Sequence, residues 1–313
     1  MLKTALIGYG YWGSKLARNF NNIEDFDLVS IIDTNKKNLS FAKKNYPLAK
    51  FSNNYKKTIK NDDVDFVIIS SPTITHYQIA KFALENFKHV LVEKPLSLKL
   101  DEVKKLNKIA KKNNKMLFVD YPFLFSGAIN FIKRVIDKKK YGKIIEIESF
   151  REQAPIRTDV NVIWDLCTHD ISILNYLLKT KPSSIKTIKK KNIKGPHCDT
   201  AYISLKYPNR INALIKNAWI SPTKIRLIKI KFEKAIIYCD ENESLYKIKV
   251  YKLKSPKLAN YNLEIPDIDL GEPLSKLATY IYKSIQNKNN KLFKNKFNEE
   301  VTHILERINK SND

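Results

Sequence analysis

The chain has 313 residues, enough for two ordinary domains, and its 43% hydrophobic and 11% aromatic residues can bury two cores, which excludes a disordered protein. Only seven of the 57 basic residues behind the net charge of +25 are arginine, and the lysines are dispersed, so nucleic-acid binding is not expected. No apolar run approaches the roughly 18–20 residues of a membrane span, and the three cysteines lack metal-ligand spacing, so a cytoplasmic protein with no membrane segment and no bound metal is expected.

The first part of the chain alternates predicted strands and helices over some 120 residues, which favours a parallel, doubly wound α/β sheet. The expected strands cover residues 2–7, 27–32, 66–69, 90–93 and 116–119. The expected helices run from the glycine-rich turn after the first strand to about residue 20, and over 38–45, 75–86 and 100–112.

The pattern changes after residue 121. The sequence predicts a helix over 128–137, a strand over 143–150, a polar loop over 151–161 and a helix over 163–178, then strand-like runs between 184 and 253 and helices over 273–286 and 296–309. This order indicates an α+β domain with an open, mostly antiparallel sheet. We therefore expect one domain at 1–121 and a second domain at 122–313.

The first predicted strand runs into Gly8-x-Gly10-x-x-Gly13, the dinucleotide fingerprint. The first glycine permits a tight turn, the second lets the pyrophosphate approach the backbone, and the third lets helix and strand pack closely. Tyr11 and Trp12 complete this candidate cofactor-binding turn.

Asp33 ends the next predicted strand, 20 residues beyond Gly13, where a carboxylate accepts the ribose hydroxyls. Its charge repels a 2′-phosphate, which favours NAD over NADP. Lys36 and Lys37 weaken that preference, because they offer a site for the phosphate if Asp33 turns away.

Two further segments follow strands at the carboxyl end of the sheet, where open α/β sheets bind ligands. Ser71 and Pro72 begin a loop that includes His76, and two interpretations of this histidine are open: contact with the cofactor, or capping of the following helix. Glu93 and Lys94 end a buried strand just before Pro95. An ammonium tied to a strand end beside a cofactor is partly desolvated, which suits it to donate a proton or to stabilise an alkoxide.

Asp165 and His169 are spaced i, i+4 within the predicted helix 163–178, so they share a face. A carboxylate beside an imidazole orients the ring and raises its basicity, which suits the pair to take a hydroxyl proton as hydride leaves the same carbon. The alternatives are an ordinary ion pair on the helix surface, or Asp170 as the partner.

Taken together, GYGYWG, the SP…H loop, HVLVEKP and WDLCTHD resemble the glucose–fructose oxidoreductase/inositol dehydrogenase/MocA family over nearly the whole chain. The resemblance implies a Rossmann domain, a second domain whose open sheet mediates oligomerisation (a homodimer or tetramer), and NAD(P)-linked oxidation or reduction of a sugar hydroxyl. It implies that Lys94 positions the hydroxyl, that His169 is the general acid/base and that Asp165 is its partner. Asp120-Tyr121 differs from the Gly-His dipeptide frequent in the family, so substrate contacts there are not carried over.

GYGYWG and DVNVIWDL resemble most the branch that contains UDP-N-acetylglucosamine 3-dehydrogenase-like enzymes. That likeness places Arg151, Arg157, Asn161 and Trp164 around the sugar, with arginine facing phosphate; the alternative is that the arginines cover a loop surface. The expected protein is an NAD-dependent dehydrogenase of a sugar or nucleotide sugar, such as a UDP-N-acetylhexosamine. The rival is a non-catalytic NAD-binding regulator of the same fold.

Overall fold

The computed structural model describes residues 1–61, 63–255, 260–289, 292 and 295–311. The chain divides into two units, Met1–Pro122 with Glu272–Thr302 and Phe123–Gly271 with His303–Asp313. The C-terminal segment from Glu272 to Thr302 thus groups with the first unit. The domain boundaries predicted from the sequence, 1–121 and 122–313, stay a prediction.

The first unit contains a parallel sheet with the strand order β3-β2-β1-β4-β5-β6. Its strands are Leu2–Ile7 (β1), Phe26–Ile32 (β2), Lys50–Ser52 (β3), Phe66–Ile69 (β4), His89–Glu93 (β5) and Leu117–Asp120 (β6). The central strands are apolar runs rich in Val and Ile, which suits strands covered on both faces. The chain order reverses between β1 and β4, and dinucleotides bind across such a reversal.

Helices alternate with these strands, as the sequence predicts. They are Tyr11–Asn21 (α1), Lys36–Asn45 (α2), Tyr55–Ile59 (α3), Thr73–Glu85 (α4) and Leu100–Lys112 (α5). On the sheet, the rings of Phe20, Phe26 and Phe66 lie 4.9 to 5.9 Å apart and form an aromatic core.

The second unit contains a sheet with the strand order β14-β13-β12-β11-β7-β10-β9-β8. Its helices and strands are Gly127–Asp137 (α6), Ile144–Glu152 (β7), Thr168–Leu178 (α7), Ser184–Lys190 (β8), Thr200–Lys206 (β9), Asn212–Ala218 (β10), Ile225–Phe232 (β11), Ala235–Asp240 (β12), Ile248–Ser255 (β13) and Asn260–Glu264 (β14). Neighbouring strands run antiparallel except for β7 and β10, which are parallel. The expected open, mostly antiparallel sheet is confirmed.

Two helices close the chain, Pro273–Gln286 (α8) and Asn295–Lys310 (α9). Buried residues of α8 recur at the spacing of one helix face, at Leu274, Leu277, Ala278 and Ile281. This face packs against α1, where Ser275 Oγ donates to Asn19 Oδ1 at 2.8 Å.

The main departures from the predicted elements are three additional short elements and two differences at element ends. β3, α3 and β14 are additional elements, each of five residues or fewer. β7 extends to Glu152, so the prediction that the polar loop begins at Arg151 is wrong. The predicted continuous α-helix from residue 163 is also wrong at its start, because Ile163–Cys167 form a π-helical turn before α7.

Candidate active site

The glycine-rich turn between β1 and α1 has the geometry that a pyrophosphate requires. Gly8 has φ +93°, and a Cβ there would lie 2.5 Å from the Ser70 carbonyl oxygen. A Cβ on Gly13 would lie 1.9 Å from the Gly8 carbonyl oxygen. Around Gly10, by contrast, an added Cβ would meet no atom within 4 Å from the described residues beyond its own neighbours in the chain. The turn is closed where glycine must pack and open where the phosphate approaches, so it fits a dinucleotide.

The N-terminus of α1 is available to an anion. Gly10 is the N-cap, no side chain within the described residues caps it, and the first turn holds no acidic residue. The exposed Tyr11 ring stacks on Trp12, and the Lys15 ammonium lies 4.2 and 4.7 Å from the two ring centroids. Lys15 therefore adds a positive charge one turn into the helix, a feature that the glycine motif alone does not predict.

Asp33 is fixed in place at the end of β2. Its carboxylate accepts hydrogen bonds from the Tyr9 backbone N–H at 2.7 Å, the Asn35 backbone N–H at 2.7 Å and the Asn38 amide at 3.0 Å. These bonds join the glycine-rich turn to the start of α2 and hold the negative charge beside it. An Asp33 that turns away would lose all three.

We expect Asp33→Ala to narrow or reverse a preference for NAD over NADP. The substitution removes the charge that repels a 2′-phosphate, and it leaves Lys36 and Lys37 at the N-terminus of α2. Dissociation constants for both cofactors measure this, with Asp27→Ala, an exposed carboxylate on β2, as the control. Tighter binding of NADP than of NAD by the unmodified protein would contradict the assignment.

The loop after β4 is tied to the loop after β5 by a buried histidine. The His76 side chain is 1% exposed, and its ring nitrogens lie 2.8 Å from the Pro95 and Ser71 carbonyl oxygens. Ser71 Oγ lies 2.6 Å from Thr75 Oγ1, and Pro72 is the N-cap position of α4. His76 thus has a structural function that neither sequence interpretation foresaw, and its contact with a cofactor stays a prediction.

Lys94 lies directly beyond β5, at the carboxyl edge of the sheet. Lys94 is 7% exposed, Glu93 before it is also buried, and the Lys94–Pro95 peptide bond is cis. Because His76 lies against the Pro95 carbonyl oxygen, the backbone at this lysine is held on both sides. The Lys94 side chain is therefore largely shielded from solvent, and its predicted part in proton transfer stays a prediction.

The sequence motifs did not predict a buried carboxyl group at the carboxyl edge of this sheet, which the structure shows at Asp120. Asp120 ends β6 directly beside Glu93 on β5, and it is 0% exposed. Within the described residues neither of its oxygens has a hydrogen-bond partner. Burial raises the pKa of Asp120 to about 7, and the Lys94 ammonium partly opposes that rise.

This carboxyl group predicts a pH dependence of stability. The folded cofactor-free protein keeps a proton that the unfolded chain releases above its lower pKa, so the Asp120 contribution to the free energy of unfolding falls as pH rises to about 7. Asp120→Asn cannot ionise, so its unfolding free energy relative to the parent should increase by about 3 kcal/mol between about pH 5 and pH 8. Denaturant unfolding at both pH values measures the change; an equal difference at both would contradict the assignment.

In the second unit, Asp165 lies in the π-helical turn that precedes α7, a local geometry frequent at functional sites. Trp219, just beyond β10, donates its indole N–H to Asp165 Oδ2 at 2.9 Å, and an Arg157 nitrogen lies 3.6 Å from Oδ1. The carboxylate is therefore buried and held in a fixed orientation. Its predicted pairing with His169 stays a prediction.

His169 is partly exposed near the start of α7, and the centre of its ring lies 5.0 Å from that of Phe123, with the two rings nearly perpendicular. The Phe123 ring also lies beside a buried ion pair. The Arg151 guanidinium lies 4.3 Å from the centre of the Phe123 ring and donates to Asp170 at 2.8 Å. Asp170 also accepts from Ser149 and Asn217, so its carboxylate is engaged in this network.

The four residues proposed around the sugar have different surroundings. Arg151 is 1% exposed in β7, which makes its expected place on the polar loop wrong. Arg157 binds Asp159 through two nitrogens, at 2.9 and 2.7 Å. Asn161 accepts from two backbone N–H groups of the π-helical turn, and Trp164 is buried within it. Contact of Arg157, Asn161 or Trp164 with a substrate stays a prediction.

The described residues contain no group of three or more His, Cys, Asp or Glu that could hold a metal ion. Among the helices in the part of the chain that the structure describes, none has the length and apolar character to cross a membrane.

The fold and the geometry of the glycine-rich turn define a dinucleotide-binding protein of the Rossmann class. Comparison with family models specifies it further: residues 2–121 match the oxidoreductase family with an NAD-binding Rossmann fold, and residues 129–241 match the C-terminal domain of the same GFO/IDH/MocA family. The chain belongs to the GFO/IDH/MocA family of oxidoreductases. The resemblance found in the sequence is confirmed.

Individual relatives are distant. The chain is 25% identical over 227 residues to the uncharacterized oxidoreductase YrbE of Bacillus subtilis, with 69% of this chain and 66% of that protein covered. It is 26% identical to the myo-inositol 2-dehydrogenase of Thermotoga maritima, with 69% and 68% covered. The match therefore spans about two thirds of the length of these curated relatives. The fold is similar to UDP-N-acetylglucosamine 3-dehydrogenase GnnA from Acidithiobacillus ferrooxidans, at TM-score 0.85, 19% identity and 98% and 96% coverage.

Proposed function

We propose that this protein is an NAD-dependent dehydrogenase that transfers hydride between a carbinol carbon of a sugar or nucleotide sugar and nicotinamide. The observation that carries the proposal is the buried Lys94 at the carboxyl edge of a sheet whose glycine-rich turn is open at Gly10. A lysine at that edge faces the ligand side of an open α/β sheet. Relatives named as inositol dehydrogenases support a polyol or sugar as the substrate class.

The bound cofactor supplies hydride chemistry, and the protein supplies orientation and proton handling. Lys94 holds the substrate hydroxyl and stabilises the developing negative charge on its oxygen. His169 accepts the hydroxyl proton, and Asp165 fixes the orientation of the imidazole. In ketone reduction the same groups act in reverse order.

The cofactor half of the proposal favours NAD. Asp33 keeps its carboxylate beside the glycine-rich turn through three hydrogen bonds, and the charge opposes a 2′-phosphate.

The substrate half of the proposal is the choice between free and nucleotide-linked sugars. Arg157, partly exposed and anchored on Asp159, is our candidate for a contact with a diphosphate.

Purified protein mixed with NAD and a panel of inositols, free sugars and UDP-linked sugars tests the proposal. We expect the absorbance of reduced cofactor to appear with one substrate class, and the Arg157→Ala variant to lose affinity for UDP-linked sugars only. Binding of NAD without reduction by any member of the panel would favour the non-catalytic NAD-binding regulator.

We further propose that the chain forms a homodimer or tetramer through its eight-stranded sheet. Ile188 and Tyr202 are register partners on β8 and β9, and with Leu214 on β10 they are 44–48% exposed. Large apolar side chains exposed together favour a protein interface. Light scattering of the parent and of Tyr202→Glu tests this, and a monomeric parent would contradict it.

The cytoplasmic location also stays a prediction, to be tested by cell fractionation.

A further inference from the structure

We propose that Asp120 is a proton-linked counter-charge at the nicotinamide end of the cofactor site: it ionises when NAD+ binds and takes a proton back when the nicotinamide is reduced. The proposal rests on the proposed use of nicotinamide but on no particular substrate. Asp120 would act on the cofactor through charge, and the resemblance to the family assigns it no role.

The order of the strands places the two ends of a dinucleotide. The ligand crosses the reversal between β1 and β4, and the glycine-rich turn there receives the pyrophosphate. Asp33 on β2 marks the half of the sheet that receives the adenosine ribose. The nicotinamide is therefore left to the half formed by β4, β5 and β6, at whose carboxyl edge Lys94 and Asp120 lie.

The charges at this edge explain why a carboxyl group there responds to the redox state of the ligand. Oxidised nicotinamide carries one positive charge more than its reduced form, and Lys94 adds a second positive charge at a poorly solvated place. Like charges in a low-dielectric site repel strongly, and a carboxylate offsets them. When the ligand is reduced, one of these charges disappears and desolvation again favours the carboxylic acid.

Two features of its surroundings allow Asp120 to change its protonation state in this way. It has no hydrogen-bond partner among the described residues, so no donor fixes either form. Burial raises its pKa to about 7, so a nearby positive charge is enough to ionise it near neutrality. A solvated aspartate would be ionised with or without the cofactor.

The groups on the elements next to Asp120 determine the balance between its protonated and its ionised form. From β5, Glu93 lies beside it in register and Lys94 follows. Tyr121 is next along the chain, and burial raises the pKa of its phenol further above neutrality. Helix α5 contacts β6, and none of the buried residues of this helix titrates; they are Val103, Leu106, Asn107 and Ala110. The Asn107 amide donates to Glu299 at 2.8 Å.

Only the O–H bond of Asp120 breaks and forms in this cycle. Binding of NAD+ releases its proton to solvent, and reduction of the nicotinamide draws one proton from solvent. This proton is separate from the hydroxyl proton that we assign to His169.

The experiment measures binding of NAD+ and NADH to the protein without any sugar, from about pH 5.5 to pH 8. We expect the affinity for NAD+ to rise with pH, toward a limit of tenfold per unit below about pH 7, and the affinity for NADH to stay nearly constant. In Asp120→Asn, NAD+ should bind with little dependence on pH. Glu93→Gln distinguishes Asp120 from the neighbouring buried carboxyl: the substitution can shift the pH range, but it should leave an affinity for NAD+ that depends on pH.

Calorimetry of the parent protein in two buffers of different ionisation enthalpy gives the number of protons released, and it needs no variant to fold. We expect up to one proton released with NAD+ near pH 6 and close to none with NADH. Equal pH dependence for NAD+ and NADH, a dependence that survives in Asp120→Asn, or its loss in Glu93→Gln alone would overturn the inference. Since no substrate is present, a protein that passes this test and yet oxidises no sugar refutes only the dehydrogenase proposal.

Discussion

Lys94→Ala should lower kcat by roughly 10²–10⁴-fold on the true substrate, the contribution typical of a positioned proton-transfer group. Lys94 is buried at the strand end, so the loss of its ammonium leaves the developing charge on the substrate oxygen without a partner. Binding of NAD should persist, because the glycine-rich turn and Asp33, to which we assign the pyrophosphate and the ribose, are unchanged.

Steady-state kinetics and a cofactor titration on the same preparation separate these two effects. Lys99→Ala is the matched control, because the Lys99 side chain is 74% exposed only five residues along the chain. We expect it to keep parental turnover. Near-normal turnover of Lys94→Ala would remove this lysine from the reaction.

His169→Asn should lose more of the oxidation rate than Asp165→Asn, because it removes the proposed acceptor of the hydroxyl proton. The parent rate should fall on the acid side with a break in the range where imidazoles titrate, about pH 6.5 in model peptides. His89 does not produce this break, since burial and then Lys115 lower its pKa to about 4. Asp120 titrates close to the same range, so the break must be assigned with the variants.

The pH profiles of the two variants make that assignment. We expect the acid-side break to persist in Asp120→Asn and to disappear in His169→Asn. Asp165→Asn should keep the fold and bind NAD yet turn over slowly, because it loses the carboxylate that the Trp219 indole N–H now holds in place. The double variant Asp165→Asn/His169→Asn should cost less than the sum of the single losses, because groups that act as one unit are not additive. Fully additive losses, or an unchanged break in His169→Asn, would mean that the proton acceptor lies elsewhere.

Periodicity and turn chemistry predicted the longer helices and strands well, because each of these elements carries a local repeat of apolar residues that is long enough to be recognised in the sequence. β1, β4 and β5 are apolar runs between turns, and α5 repeats its buried residues at helical spacing. β14 carries no such signal: its five residues, Asn260–Glu264, are largely exposed and polar, so its place is set by pairing with β13 rather than by composition.

The side chains of the site were predictable only where a motif or an i, i+4 spacing marks them. The Trp219–Asp165 hydrogen bond joins positions 54 residues apart, and the Arg151–Asp170 ion pair forms between β7 and α7. Neither has a local signature. Asp120 was visible in the sequence as part of a departure from the family dipeptide, but its full burial and its lack of a hydrogen-bond partner among the described residues are visible only in the structure.

The most direct test of the central claim follows the hydride itself. The protein is incubated with NAD and with the active substrate of the panel, deuterated at its carbinol carbons, and the reduced cofactor is analysed by mass spectrometry. We predict one deuterium in the nicotinamide ring and none incorporated from deuterated water when the substrate is unlabelled. Reduced cofactor that carries solvent deuterium, or bound NAD that no sugar, inositol or nucleotide sugar reduces, would contradict the assignment of this protein as a sugar dehydrogenase.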